Sequence, residues 1–217
     1  RRSSDLMAYD LEEQESIDQM KAWWDTWGTP VTAAVCVVCL GFAGWNGWNW
    51  YQRNEAAKAS VAYIQLQNAV YQNDVKNIDS ISAGMIAQYG STIYGPLAAF
   101  SAAQAALAQG NFDEAAAKLN WIIEKGGHPE YDTVARVRLA GVYFDAGKLD
   151  DALKVLEGAK PADGQKASVA DRRGDVLRAK GDAAGAKKAY EEALASAEAN
   201  DPLRRLIELK LGSLPAA

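Results

Sequence analysis

The chain has 217 residues, with 23 basic and 28 acidic side chains, a net charge of -5, one histidine and two cysteines. That balance argues against a protein whose main task is gripping nucleic acid, and the counts exclude a disulfide scaffold and a histidine-rich metal site. About 40 alanines favour closely packed helices, while a mean hydropathy of -0.24 is ordinary for a soluble protein, so any membrane segment must be sought locally.

Residues 1–25 form a short acidic tail. Met7-Ala-Tyr-Asp reads as a natural start, with residues 1–6 upstream of it. No charged residue then occurs from Thr26 to Gln52, and the run from Val31 to Trp45 is nearly all apolar. A helix from Trp27 to Trp48 would span roughly 30 Å, the thickness of a bilayer core. Six of the seven tryptophans border it: Trp23, Trp24 and Trp27 before, Trp45, Trp48 and Trp50 after, joined by Tyr51. Trp and Tyr suit membrane interfaces, where the ring meets the apolar edge and the polar group stays wet. A buried core helix has no reason to collect Trp at both ends. A cleaved signal peptide would have a short basic start and a small-residue cleavage site. Residues 26–51 are therefore expected to be a retained transmembrane helix, in contact with the lipid bilayer. Lys21 on one side and Arg53 and Lys58 on the other do not decide its orientation. Cys36 and Cys39 make a C-x-x-C pattern, but in mid-span they read as small apolar side chains.

From residue 52 the pattern becomes amphipathic and self-similar. Gln109-Gly-Asn-Phe-Asp-Glu-Ala115, Ala146-Gly-Lys-Leu-Asp-Asp-Ala152 and Lys180-Gly-Asp-Ala-Ala-Gly-Ala186 place glycines at 110, 147 and 181. Glycine can end a helix in a left-handed conformation, and an acidic residue suits the start of the next helix. Small residues precede each turn at Ala102-Ala103, Leu139-Ala140 and Arg173-Gly174; apolar stripes follow, at Leu119 and Ile122, Leu153 and Leu156, and Tyr190, Ala193 and Leu194. Such hairpins cover their apolar faces only by stacking. The pattern resembles the tetratricopeptide repeat, best over Thr133 to Lys160. The first repeat lacks the usual aromatics, and the third has Arg173 where a large apolar residue is typical. The expected architecture is all-α: one N-terminal transmembrane helix, then a tetratricopeptide-repeat-like solenoid over 52–217. Within it we expect a degenerate hairpin at 54–90 with helices over Glu55–Tyr71 and Ile78–Tyr89. Repeats follow at 96–127, 133–160 and 167–199, with a capping helix at 201–214. Asp201-Pro202 marks the start of that cap.

By register, Phe100, Gln104, Leu107, Val137, Phe144, Asp171, Asp175 and Arg178 would face a concave protein-binding groove. The alternative is that Phe100, Leu107, Val137 and Phe144 pack between repeats. No basic cluster for clamping a C-terminal carboxylate is evident, since Phe100 stands where that clamp has Lys. Asp171, Asp175 and Asp182 are expected on a solvated, salt-bridged face rather than at a cation. His128, before Pro129 in an exposed loop, is not expected to be catalytic. No catalytic, cofactor or metal residue is assigned.

Taken together, the acidic tail, the span ending Gly44-Trp-Asn-Gly-Trp-Asn-Trp-Tyr-Gln52 and the repeats resemble the YfgM family, ancillary subunits of the bacterial SecYEG translocon. Tyr94-Gly-Pro-Leu-Ala98, Val137-Arg-Leu-Ala140, Val169-Ala-Asp-Arg-Arg-Gly-Asp175, Lys180-Gly-Asp182 and Ala186-Lys-Lys-Ala-Tyr190 strengthen the likeness. The resemblance implies a single-pass inner-membrane protein, N-terminus cytoplasmic and repeat domain periplasmic. It further implies a non-enzymatic role, without cofactor. The implied partners are the SecYEG translocon, a membrane-anchored periplasmic prolyl-isomerase-type chaperone and secreted clients. Other readings of the same architecture are a general envelope scaffold and a membrane-tethered regulator acting through its tail.

Overall fold

A computed structural model describes residues 2–215, with side chains from Glu15 onward. The expected start at Met7 and the acidic side chains before Glu15 lie outside the described residues. The chain divides into two units, residues 1–54 and 55–217. Helix α1 runs over Arg2–Tyr71, much longer than the expected span. Hydropathy marks the stretch that suits lipid, and nothing in the polar flanks stops the helix; its one proline is Pro30.

From Glu15 on, the large apolar side chains of the first unit are mostly exposed. Val37, Val38, Leu40, Phe42, Trp45 and Trp50 are each about two-thirds exposed. Gly28 is buried beneath the Trp24 indole. Polar side chains in this stretch bond back to the helix itself: Thr32 Oγ1 donates to the Gly28 carbonyl at 2.7 Å, and Asn46 Nδ2 to that of Phe42 at 3.0 Å. Their hydrogen bonds are thus met without water, as a lipid surround requires. The helix is long and apolar enough to cross a membrane.

The second unit contains the end of α1, then α2 (Val75–Tyr89), α3 (Tyr94–Ala108), α4 (Phe112–Lys125), a 3-10 turn (Pro129–Tyr131), α5 (Asp132–Asp145), α6 (Leu149–Glu157), α7 (Asp163–Ala179), α8 (Ala183–Ser196) and α9 (Pro202–Gly212). Four of its turns share one geometry. Asn73, Gly110, Gly147 and Gly181 have φ of 54°, 77°, 75° and 83°. In each turn the next residue's N–H donates to the carbonyl five residues back: Asp74 to Ala69, Asn111 to Ala106, Lys148 to Tyr143 and Asp182 to Leu177. That bond closes the outgoing helix. The carbonyl of the same residue then accepts the first bond of the incoming helix, from Ile78, Ala115, Ala152 and Ala186. The hairpin read from sequence as degenerate is therefore a full member of the series, with Asn73 in the glycine place. Asp74 and Asp182 also cap their helices, accepting from the N–H of Asn77 and Gly185.

Two register positions set the packing. Seven residues before the turn residue stand Leu66, Ala103, Ala140 and Gly174; nine after it stand Ser82, Leu119, Leu156 and Tyr190. All eight are buried. Where the first member is large the second is small, and the reverse. The extreme pair is in direct contact: a Cβ on Gly174 would lie 2.5 Å from the Tyr190 ring. Apolar clusters form at successive interfaces, the last of them covered by Ile207 of α9.

Helix α9 is held by charge as well as by Ile207. Lys210 Nζ donates to both Asp171 oxygens at 2.8 Å and to Asp175 at 2.9 Å. Tyr190 OH donates to Asp175 at 2.8 Å. Burial is the chief cause that raises the Asp171 carboxyl above its ordinary pKa; the Lys210 hydrogen bond pulls it back and the Asp175 charge raises it further. Burial and Asp175 also push the Tyr190 phenol up, so it remains a donor. Arg204 Nη1 donates to the carbonyls of Leu194 and Ala197, satisfying the end of α8.

Two tests follow from this packing. Gly174→Ala should lower stability by about 1–3 kcal/mol through overpacking against Tyr190. Combined with Tyr190→Leu it should cost less than the two single changes added together, measured as a double-mutant cycle by chemical denaturation. Lys210→Met leaves two carboxylates without their ammonium and should cost about 3–5 kcal/mol near neutral pH. A carboxyl raised in the folded state favours folding below its unfolded value of about 4 and loses that contribution as pH rises through the folded value. Acidification toward that range should therefore narrow the gap between Lys210→Met and the parent, read as the difference in melting temperature.

Candidate protein-binding cleft

Phe100, Gln104 and Leu107 occur at positions 100, 104 and 107 of α3, one helical face. The structure brings all three to one cleft of about 250 Å³, bounded also by Leu119 of α4, by Arg138, Gly141 and Asp145 of α5 and by Arg172 of α7. Phe100 is largely buried and meets the Tyr131 ring in a T-shaped arrangement, 6.1 Å between centroids. The Arg138 guanidinium sits 4.6 Å from the Phe100 centroid, a cation–π contact that covers the ring while leaving the charge wet. Leu107 is half-buried and Gln104 exposed. The cleft thus has an apolar floor and a polar rim.

The other register positions go elsewhere. Val137 and Phe144 pack on the cluster of Ala140, Leu156, Val169 and Val176 rather than lining the cleft. Asp171 and Asp175, expected on a solvated face and in the groove, are instead enclosed with Lys210. The reason is shared: the following repeat, or α9 after the last one, covers these positions. Arg178 is exposed. Asp182 is a helix cap, and no group of acidic, histidine or cysteine side chains among the described residues could hold a metal.

Arg138, Asp145 and Arg172 were missed in the sequence because the open row lies one residue further around the helix than register suggests. Arg138 and Arg172 both stand nine residues before their turn glycine, and that equivalence was the available signal. His128 is less exposed than its loop position implied. Its ring nitrogens lie 2.9 Å from Glu130 Oε1 and 3.2 Å from the Ser91 carbonyl, tying the 126–131 connection to the loop before α3.

The membrane-interface candidates Trp23, Trp24, Trp27, Trp45, Trp48, Trp50 and Tyr51 are all exposed on the first unit. Cys36 and Cys39 are exposed free thiols.

A family described as tetratricopeptide repeat-like domain matches residues 21–216. The chain is 31% identical over 208 residues to a Haemophilus influenzae protein named ancillary SecYEG translocon subunit, covering 96% of this chain and 100% of that one. Proteins of the same name from Aggregatibacter actinomycetemcomitans and Escherichia coli are 32% and 33% identical, covering 96% and 76% of this chain and 100% and 78% of theirs. Among solved structures, nearly identical TPR-like repeats of a Podosopora anserina kinesin light chain superpose with a TM-score of 0.53 at 17% identity, over 74% of this chain and 84% of that one, a likeness of fold alone. With its four stacked hairpins and full-length similarity to these bacterial proteins, the chain belongs to the tetratricopeptide repeat-like family of ancillary SecYEG translocon subunits.

Proposed function

We propose that this chain is a non-enzymatic, membrane-anchored protein-interaction module that serves the Sec translocon. Residues 26–51 anchor it in the bacterial inner membrane, residues 1–25 are cytoplasmic and the repeat domain, residues 52–217, is periplasmic. The observation that carries this reading is the outward-facing, uncharged span bordered by tryptophans in a chain alignable end to end with ancillary translocon subunits. The tryptophans and Tyr51 sit at the two membrane interfaces.

Its work is positional. Anchoring keeps the repeat domain near the channel and raises its effective concentration there. The cleft of Phe100, Gln104 and Leu107 then receives a segment of a partner. The partners we assign are SecYEG, a membrane-anchored periplasmic chaperone of the prolyl-isomerase type and secreted clients. The cleft's apolar floor supports such a role, because a peptide can bury side chains there while its backbone stays at the polar rim.

Purification of the tagged full chain in mild detergent should recover translocon subunits together with the chaperone; recovery of unrelated envelope proteins alone would overturn the proposal. Leu40→Arg places a charge at mid-span, where it costs about 2.5–3.5 kcal/mol on insertion scales. It should shift part of the protein from the carbonate-resistant membrane fraction to the soluble one. A phosphatase fused after Ala217 should be active only if that end reaches the periplasm.

A further inference from the structure

The cleft between α3, α5 and α7 carries positive charge that its surroundings neutralise only in part. Arg138 makes no ion pair with a carboxylate among the described residues; its one recorded contact is with the Phe100 ring. The nearest carboxylate oxygen to Arg172, on Asp175, is 3.9 Å away. Asp175 is itself already engaged by Lys210 and Tyr190. The Nε–H of Arg172 is buried and has no acceptor. A buried donor left without a partner is unfavourable, and an ionised one more so; the same guanidinium lines the cleft with its side chain about one-third exposed, so an acceptor arriving there meets a cation that the fold leaves under-satisfied. Asp145 is the one acidic side chain lining the cleft, against two arginines.

Shape restricts what can satisfy that donor. A volume of about 250 Å³ admits one or two side chains, not a folded domain or a nucleic acid strand. Leu107, half-buried, and the small exposed part of Phe100 offer apolar surface beside the guanidinium groups. The rim offers Gln104, which can donate and accept, and Asp145, which accepts a backbone N–H and repels a second negative charge. A free C-terminus beside an acidic side chain would bring that second charge.

We infer that this cleft is a docking site for an internal acidic residue of a partner polypeptide, its carboxylate received by Arg138 and Arg172 and a neighbouring apolar side chain laid on Phe100 and Leu107. This deepens the interaction-module reading, on which it rests, but is independent of which assembly the protein joins. Guanidinium forks favour carboxylates geometrically, so Asp or Glu flanked by Leu, Ile, Val or Phe is the recognised pattern.

The test is selection of a random heptapeptide library, displayed within a loop so that no peptide has a free end, on the detergent-solubilised full chain and on its Arg138→Gln/Arg172→Gln variant. The parent should enrich an acidic residue next to an apolar one at least tenfold, and the variant should lose that enrichment. No acidic enrichment, or equal enrichment by both proteins, overturns the inference. Arg138→Gln alone, at an exposed position, should weaken the selected peptides at least tenfold while circular dichroism stays unchanged and melting falls by no more than a few degrees, the loss of one exposed cation–π contact, which separates binding from folding. In fluorescence anisotropy, a selected peptide with blocked ends should bind at least tenfold more tightly than its Glu→Gln version. If the Glu→Gln version with a free C-terminus binds instead, the occupant is a chain end and the inference fails. Co-purification of translocon subunits with the double variant reports separately on the assembly, so loss of peptide selection with retained co-purification, or the reverse, assigns any failure to one reading.

Discussion

One backbone constraint recurs through the repeat domain: a residue with positive φ at the end of the first helix of each hairpin. It turns the chain within three residues, because the same turn closes the outgoing helix with a bond five residues back and opens the incoming one. The turn residue is therefore a shared reference for both helices. Once it is placed, the buried positions of the two helices are set in register with each other. Glycine reaches this conformation without a Cβ penalty at 110, 147 and 181; Asn73 reaches it at a small cost, as asparagine does more readily than most residues.

Volume follows from that register. Since the positions seven before and nine after the turn are buried in every hairpin, a larger side chain at one leaves less room at the other. The series Leu66/Ser82, Ala103/Leu119, Ala140/Leu156, Gly174/Tyr190 shows the exchange. The last pair has a further consequence. Tyrosine in place of leucine buries a hydroxyl, which needs an acceptor and finds Asp175. Asp175 and Asp171 then need a cation, and Lys210 supplies it from α9. A packing choice in the last hairpin thus brings with it an enclosed charged contact with the capping helix, whereas the ion pairs between earlier hairpins, Lys148–Asp113 and Lys180–Asp150, lie at the surface.

The features legible in the sequence were those where one residue type has few alternatives. Three glycines in phase could hardly be other than turns, and tryptophans at both ends of an uncharged run have few uses in a soluble core. Asn73 escaped notice because asparagine is common in ordinary loops. The full extent of α1 escaped because the polar residues before the span are indifferent to helix or coil, and because Glu55–Tyr71, read as a separate helix, continues the span without a break. Lys210, in the capping helix, is a buried partner; a single sequence contains no sign of the two carboxylates 35 and 39 residues away that receive it. The cleft was half visible. Phe100, Gln104 and Leu107 of α3 share a face by period, but the arginines lie on a row that period alone does not select.

That displacement has a physical origin and bears on recognition. In a stack of hairpins each first helix is flanked by the next, so the row ten residues before the turn is covered: Phe100 meets Tyr131, Val137 joins the cluster around Val169, and Asp171 meets Lys210. The row one residue further on turns about 100° around the helix and stays accessible. Covered positions must satisfy packing or charge within the fold, and their chemistry is set by neighbours. The accessible row is free of that demand and carries Ser101, Arg138 and Arg172. Because the covered Phe100 still shows an edge of its ring at the cleft floor, an apolar surface and two cations meet where the two rows adjoin. Selectivity for a partner segment would then reside in the accessible row, while the covered row sets the depth of the cleft. Exchanging residues along the accessible row could retune what is bound without altering the stack that positions it.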